Sequence, residues 1–168
     1  MTTQTTAWTV APEPVGSPDS VALWRAYYTE VSDRWYLLHE GRRTDPDELE
    51  REIAAGLEDG LTPPGGRLLV ARYGGAPAGT AGVRLTADPA VAELKRVFVL
   101  PELRGRGGAP LLVAAAEDAA RALGATRLVL DTRGDLREAR ALYARLGYAE
   151  TAPHNDEPYA EHWFAKDL

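Results

Sequence analysis

Val97-Phe98-Val99-Leu100-Pro101-Glu102-Leu103-Arg104-Gly105-Arg106-Gly107-Gly108-Ala109 is the stretch from which the rest of the chain is read. It predicts a β-strand, a short turn, and a glycine-rich run that opens into a helix from Pro110 to Leu123. A helix start leaves several backbone N–H groups without intrahelical partners, and the helix dipole adds partial positive charge there. Gly105, Gly107 and Gly108 let a bulky anion approach that backbone, and Arg104 and Arg106 add fixed positive charge. The residue types suit a phosphate or pyrophosphate. Pro110 fits a first helical turn and would be costly further in. No Lys-Ser/Thr follows the glycines, so this is not a P-loop. The G-x-G-G spacing also departs from the dinucleotide fingerprint G-x-G-x-x-G. A plain glycine-rich turn between strand and helix is the alternative.

The composition sets the outer limits. A chain of 168 residues, 45% hydrophobic and 26% charged, is one domain able to bury a core. Its formal charge of −6 argues against nucleic-acid or anionic-membrane partners and weakly favours a cationic or amine one. Cysteine is absent, which removes disulfides, a thiolate nucleophile and thiolate metal ligation. The start is neither basic nor followed by an apolar signal segment, and no apolar run of about 18 residues occurs, so a cytoplasmic location is expected. His39, His154 and His162 lack the paired spacing of a zinc site, so no metal is expected.

Outward from the loop, residues 1–6 predict a disordered tail, and Trp8 to Val10 a short strand. Ser17 or Asp19 caps a helix on which Trp24, Tyr27, Tyr28, Val31 and Trp35 form one aromatic face. That face is expected to pack on a sheet; the alternative is that it walls a pocket. After the polar break His39–Arg43, Asp45-Pro46 starts a second, acidic helix to about Leu57. Leu68–Tyr73, Gly79–Leu85 and Val91–Val99 then read as an antiparallel meander joined by short turns. Val91–Val99, the helix, and an apolar strand Arg127–Asp131 make a βαβ crossover with parallel strands. Asp135 caps a helix to Leu146. Tyr148–Thr151 and Glu161–Asp167 complete the sheet, on either side of the turn-rich Pro153–Pro158. The expected class is α/β (α+β), with a mixed sheet of about six to seven strands and four main helices.

Three segments in this order carry a family resemblance: Glu93-Leu94-Lys95-Arg96-Val97-Phe98-Val99, Arg104 to Ala109, and Ala139-Arg140-Ala141-Leu142-Tyr143-Ala144-Arg145-Leu146-Gly147-Tyr148. The chain resembles the GCN5-related N-acetyltransferases (GNAT) from about residue 8 to its end, as a single domain over 1–168. Arg104, Gly107 and Ala109 match that family's Arg/Gln-x-x-Gly-x-Gly/Ala loop, and the last segment its Ala-x-x-Leu-Tyr-x-x-x-Gly-Phe/Tyr motif. The tail, Asn155-Asp156-Glu157-Pro158 and then Trp163-Phe164-x-Lys166, resembles a bacterial small-molecule branch. Three positions depart. Leu136 stands where the family often has Asn, Pro110 removes an N–H beside the loop, and Gly108 replaces a branched apolar residue, which implies a more flexible loop.

The resemblance implies acetyl-CoA as co-substrate and a primary amine of a small molecule as acceptor, joined by direct transfer in a ternary complex. The backbone at Val97 and Val99 would hold the pantetheine, and residues 104–109 the pyrophosphate, with Arg145 as a weaker phosphate contact. Tyr143 takes the place of the general acid; the alternative is a packed helix tyrosine. Glu93 would accept the amine proton, directly or through water; the alternative is a solvent-facing strand residue. Trp35, Tyr36, Asp156 and Glu157 are the expected acceptor-side residues. Acetylation of a protein amine and a non-catalytic acyl-CoA sensor are the competing functions. A dinucleotide- or phosphate-binding module is disfavoured by the loop spacing. Oligomeric state is open, although the family often forms homodimers.

Overall fold

The computed structural model describes residues 7–168, so the expected tail 1–6 lies outside the described residues. Seven strands form one sheet: β1 Trp8–Pro12, β2 Gly66–Tyr73, β3 Ala76–Leu85, β4 Val91–Val99, β5 Arg127–Thr132, β6 Ala149–Thr151 and β7 His162–Asp167. The helices are α1 Pro18–Glu40, α2 Pro46–Ala55, α3 Gly108–Ala122 and α4 Arg137–Arg145. The strand order is β1-β2-β3-β4-β5-β7-β6, antiparallel throughout except for the β4–β5 pair. The meander and the crossover therefore form as expected.

Alternation along β2 covers the sheet on both faces. Leu69 and Ala71 join the core that includes Leu112, Val113 and Ala116 of α3, whereas Leu68 and Val70 are buried outside that cluster. Ser17 caps α1 by accepting from the Ser20 N–H, and Asp45 caps α2 through the N–H groups of Asp47 and Glu48.

Several boundaries differ from expectation. Helix α1 continues through His39 and Glu40, because a break needs the left-handed conformation that Gly41 supplies. Helix α2 stops at Ala55 and tightens into a 3₁₀ turn over Gly56–Glu58. Helix α3 starts two residues before Pro110, which stands third in the first turn, where its missing N–H forfeits no helical bond. Asp135 does not cap α4: Leu136 occupies the cap position without a side-chain bond. Arg133 and Arg34 instead draw the Asp135 carboxylate away, with contacts at 2.9 and 3.3 Å. No described helix is long and apolar enough to cross a membrane.

Candidate active site

Strands β4 and β5 pair only over Val91–Glu93 and Arg127–Val129, then diverge. The gap opens a cleft of about 700 Å³ lined by Val97, Val99, Arg104, Gly105, Gly107, Gly108, Ala109, Tyr143 and Arg145, among others. Gly107 is the N-cap of α3 at φ +85°, and Gly105 has φ +78°. Only glycine adopts both readily, and a Cβ at either position would meet open space. The backbone at the head of α3 is thus bare toward the cleft.

The arginines divide their roles. Arg104 lines the cleft, but its Nε donates to the Val99 carbonyl at 2.9 Å and its Nη2 pairs with Glu30 at 2.7 Å, so it braces the loop with a shared charge. Arg106 departs from expectation. Its side chain does not line the cleft; the guanidinium lies 5.3 Å from the Tyr73 ring, whose face attracts it, and donates to the Tyr73 hydroxyl at 3.3 Å. Arg145 is exposed, lines the cleft, and makes no ion pair among the described residues.

A bulge shapes the floor. Thr80 pairs with Phe98 and Gly82 with Lys95, so Arg96 and Val97 together oppose Ala81. Arg96 has φ +56°, an uncommon conformation for a residue with a side chain. Its environment compensates. The guanidinium lies 3.8 Å from the Trp24 ring centroid, donates to the Gly56 carbonyl, and meets Asp59 at 3.0 Å. Thr80 Oγ1 donates to the Arg96 carbonyl at 2.7 Å. Burial pulls the Arg96 pKa down, and the Asp59 contact opposes that shift. No local signal marks this clamp: Arg96 reads as an ordinary strand residue within Glu93–Val99.

Tyr143 of α4 is 7% exposed and lines the cleft. Burial raises its pKa above the ordinary phenol value, and the Asp131 charge adds to the rise. Its hydroxyl makes no hydrogen bond to another described residue. Tyr148 supports it at 5.9 Å between ring centroids and donates to Glu117, which also takes Lys166 Nζ at 2.9 Å; Lys166 in turn donates to the Leu146 carbonyl at the end of α4. Glu93 lines the cleft at the last paired position. Its Oε1 is held by Arg84 and Lys95, each at 3.2 Å.

A second cavity of about 240 Å³ adjoins the cleft, sharing Tyr27, Tyr28, Val31, Asp131, Thr132, Leu136 and Glu157 with it. The aromatic face of α1 thus does more than pack on the sheet, as Tyr27 does against Phe98: contrary to expectation, it also walls a pocket. Trp35 and Tyr36 line the new cavity, with Glu48, Arg133 and Tyr159. Trp35 stacks on His39 at 4.5 Å. Tyr36 donates to Glu48 at 2.6 Å, and that bond to a carboxylate pushes its pKa up to about 12. Asp156 lines neither cavity and is exposed. The turn pivots on Asn155, which donates to Asp131 at 2.7 Å and accepts from Trp163 Nε1 and the Glu157 N–H, leaving Asp156 outside. Asp131, Glu48 and Asn155 were not among the expected site residues. Asp131 ends an apolar strand, a position that could have drawn attention; Glu48 carries no local signal. Among the described residues no group of three or more His, Asp or Glu could hold a metal ion.

The chain as a whole has counterparts among known proteins. Residues 23–148 match the model of the acetyltransferase (GNAT) family, and the chain belongs to that family. An IAA acetyltransferase of Azospirillum brasilense is 36% identical over 93 residues, which are 55% of this chain and 61% of that protein. The chain spans only 52% to 61% of the length of the curated relatives it matches. Among solved structures, a GNAT acetyltransferase from Staphylococcus aureus Mu50 has a TM-score of 0.74 at 15% identity, covering 96% of this chain and 99% of that one. The PaiA N-acetyltransferase from Thermoplasma acidophilum, solved in complex with coenzyme A, scores 0.70 at 14% identity, again over 96% and 99%. These likenesses define the fold.

Proposed function

We propose that this protein transfers an acetyl group from acetyl-CoA to a primary amine of a small molecule, directly and within a ternary complex. The observation that carries the proposal is the pair of adjoining cavities. One is larger and includes the glycines at the head of α3 in its lining; the other is small, aromatic and acidic, and they meet at Asp131, Tyr27 and Leu136. The residues present fit coenzyme A, since open space next to Gly105 and Gly107 leaves room for a pyrophosphate against the N–H groups that start α3. A pocket of about 240 Å³ walled by aromatic rings favours a small acceptor over a protein chain, which needs an open groove.

Acetyl-CoA supplies an activated acyl carbon, and this chain's residues do the rest. The backbone N–H at Val97, in the bulge, polarises the thioester oxygen. The amine lone pair forms the new C–N bond as the C–S bond breaks, and the Tyr143 hydroxyl gives its proton to the departing sulfur. A phenol carries its proton at neutral pH even at its ordinary value of about 10, and burial shifts Tyr143 further in that direction. The amine's own proton passes to a carboxylate. Position favours Asp131 over Glu93: Asp131 borders both cavities, whereas Glu93 borders one and is engaged by two cations.

Thiol release from acetyl-CoA, measured against a set of small amines and a lysine peptide, tests this reading. Turnover with a small amine supports it. Turnover with the peptide alone moves the acceptor to proteins, and tight coenzyme A binding without any thiol release makes the protein a sensor.

A further inference from the structure

Gly107 and Gly105 both sit at positive φ, so the run between them has little intrinsic reason to hold one shape. Arg106, the residue between them, is held at both ends. Its carbonyl accepts from Trp8 Nε1 at 2.9 Å across 98 residues of sequence. Its guanidinium reaches Tyr73, which is the β2 partner of Trp8 and packs edge-on against the indole at 4.9 Å. Trp8, Arg106 and Tyr73 thus close a ring of contacts around the outside of the loop.

The indole also explains Gly108. A Cβ there would stand 2.4 Å from Trp8 Cη2 and 2.6 Å from Cζ2, distances no real Cβ tolerates against a rigid ring. The space a branched side chain would fill at position 108 is occupied by Trp8, which is itself only 8% exposed. The absence of a side chain at 108 does not loosen the loop; it admits the ring that fixes it. Trp8 lies before residue 23, where the match to the family model begins.

We propose that Trp8 is a positioning residue for coenzyme A: by holding the Arg106 carbonyl and packing on Gly108, it fixes the loop in its anion-accepting shape before the ligand arrives. This rests on the reading of the Gly105–Ala109 run as the pyrophosphate site. Ordering such a loop in advance removes an entropic cost from binding.

The test measures coenzyme A affinity by calorimetry, with steady-state kinetics and amide hydrogen exchange beside it. Trp8→Phe keeps most of the ring and loses the N–H donor. Its Kd for coenzyme A should rise about fivefold, in line with one net hydrogen bond. The KM for acetyl-CoA should rise in step while kcat stays within about twofold, and the Gly107 and Gly108 amides should exchange faster. Gly108→Val alone should weaken binding by about tenfold or more, whereas Trp8→Ala with Gly108→Val should recover affinity relative to either single change. A wild-type Kd in folded Trp8→Phe overturns the proposal, as does a double variant no better than the worse single one. Gly107→Glu separates the two readings. Unchanged coenzyme A binding in that variant removes the loop assignment itself, whereas lost binding there with normal binding in Trp8→Phe removes only the role of Trp8.

Discussion

The Tyr143 hydroxyl is held in a cleft wall by packing and makes no hydrogen bond to another described residue, so changing it should separate chemistry from stability. Tyr143→Phe is expected to lower kcat by about 100-fold with coenzyme A affinity nearly unchanged, because the ring still packs. Turnover at the wild-type level would mean that water protonates the sulfur. Its pH behaviour carries a sign. Burial raises the phenol pKa above about 10, so the acid form persists through the alkaline range and kcat should not decline between about pH 8 and pH 10. The two carboxylates are separable in the same way. Asp131→Asn should raise the amine KM and lower kcat, whereas Glu93→Gln should leave the amine KM within about twofold. The reverse pattern would return the base to Glu93.

Among the elements, β4 depends most on contacts from elsewhere. Its bulge is held by Arg96 against Trp24, Gly56 and Asp59, so α1, the turn after α2 and the cleft floor form one unit. Arg96→Leu should destabilise the protein by about 2–4 kcal/mol, since it leaves a carbonyl and a carboxylate without their partner. Urea unfolding measures this, and a loss below about 0.5 kcal/mol would show that the bulge holds without the clamp. The loop before α3 and the strand β4 were legible from sequence because glycine spacing and apolar runs are local signals. The bulge was not, because the groups that hold Arg96 there come from distant segments, Gly56 lying 40 positions away.

Across the whole molecule, a charged junction ties the smaller, aromatic cavity to the sheet. Arg34 of α1 meets Asp135 and Glu138, and Arg133 chelates Asp135 while donating to the Val31 carbonyl at 2.7 Å. Burial acts to raise Asp135, but bonds from Arg133 and the charges of Arg133 and Arg34 outweigh it and leave it below its ordinary 3.8. Glu138 is also lowered, first by its bond to Arg34. Depressed folded-state values mean stability that is present above the unfolded carboxylate range and lost as pH falls through the folded one. The melting temperature should therefore drop as pH falls below about 4.5, and Arg34→Ala should flatten that drop. Equal slopes in both proteins would show that the junction contributes nothing.

What the sequence determined by itself was carried by short-range pattern, although not every helix boundary was. Period-two strands, the short turns of the meander and Gly107 at the head of α3 follow from neighbouring residues, and so does Tyr143 within its motif. Which face Arg106 turns to, which carboxylate borders both cavities, and what fills the space over Gly108 were decided only by tertiary structure. Each depends on residues brought together by the sheet: Tyr73 beside Trp8 in register, and Asn155 reaching Asp131 across 24 residues. Backbone preference is set over a few residues, whereas a side chain's partner is set by which distant segments the fold makes neighbours.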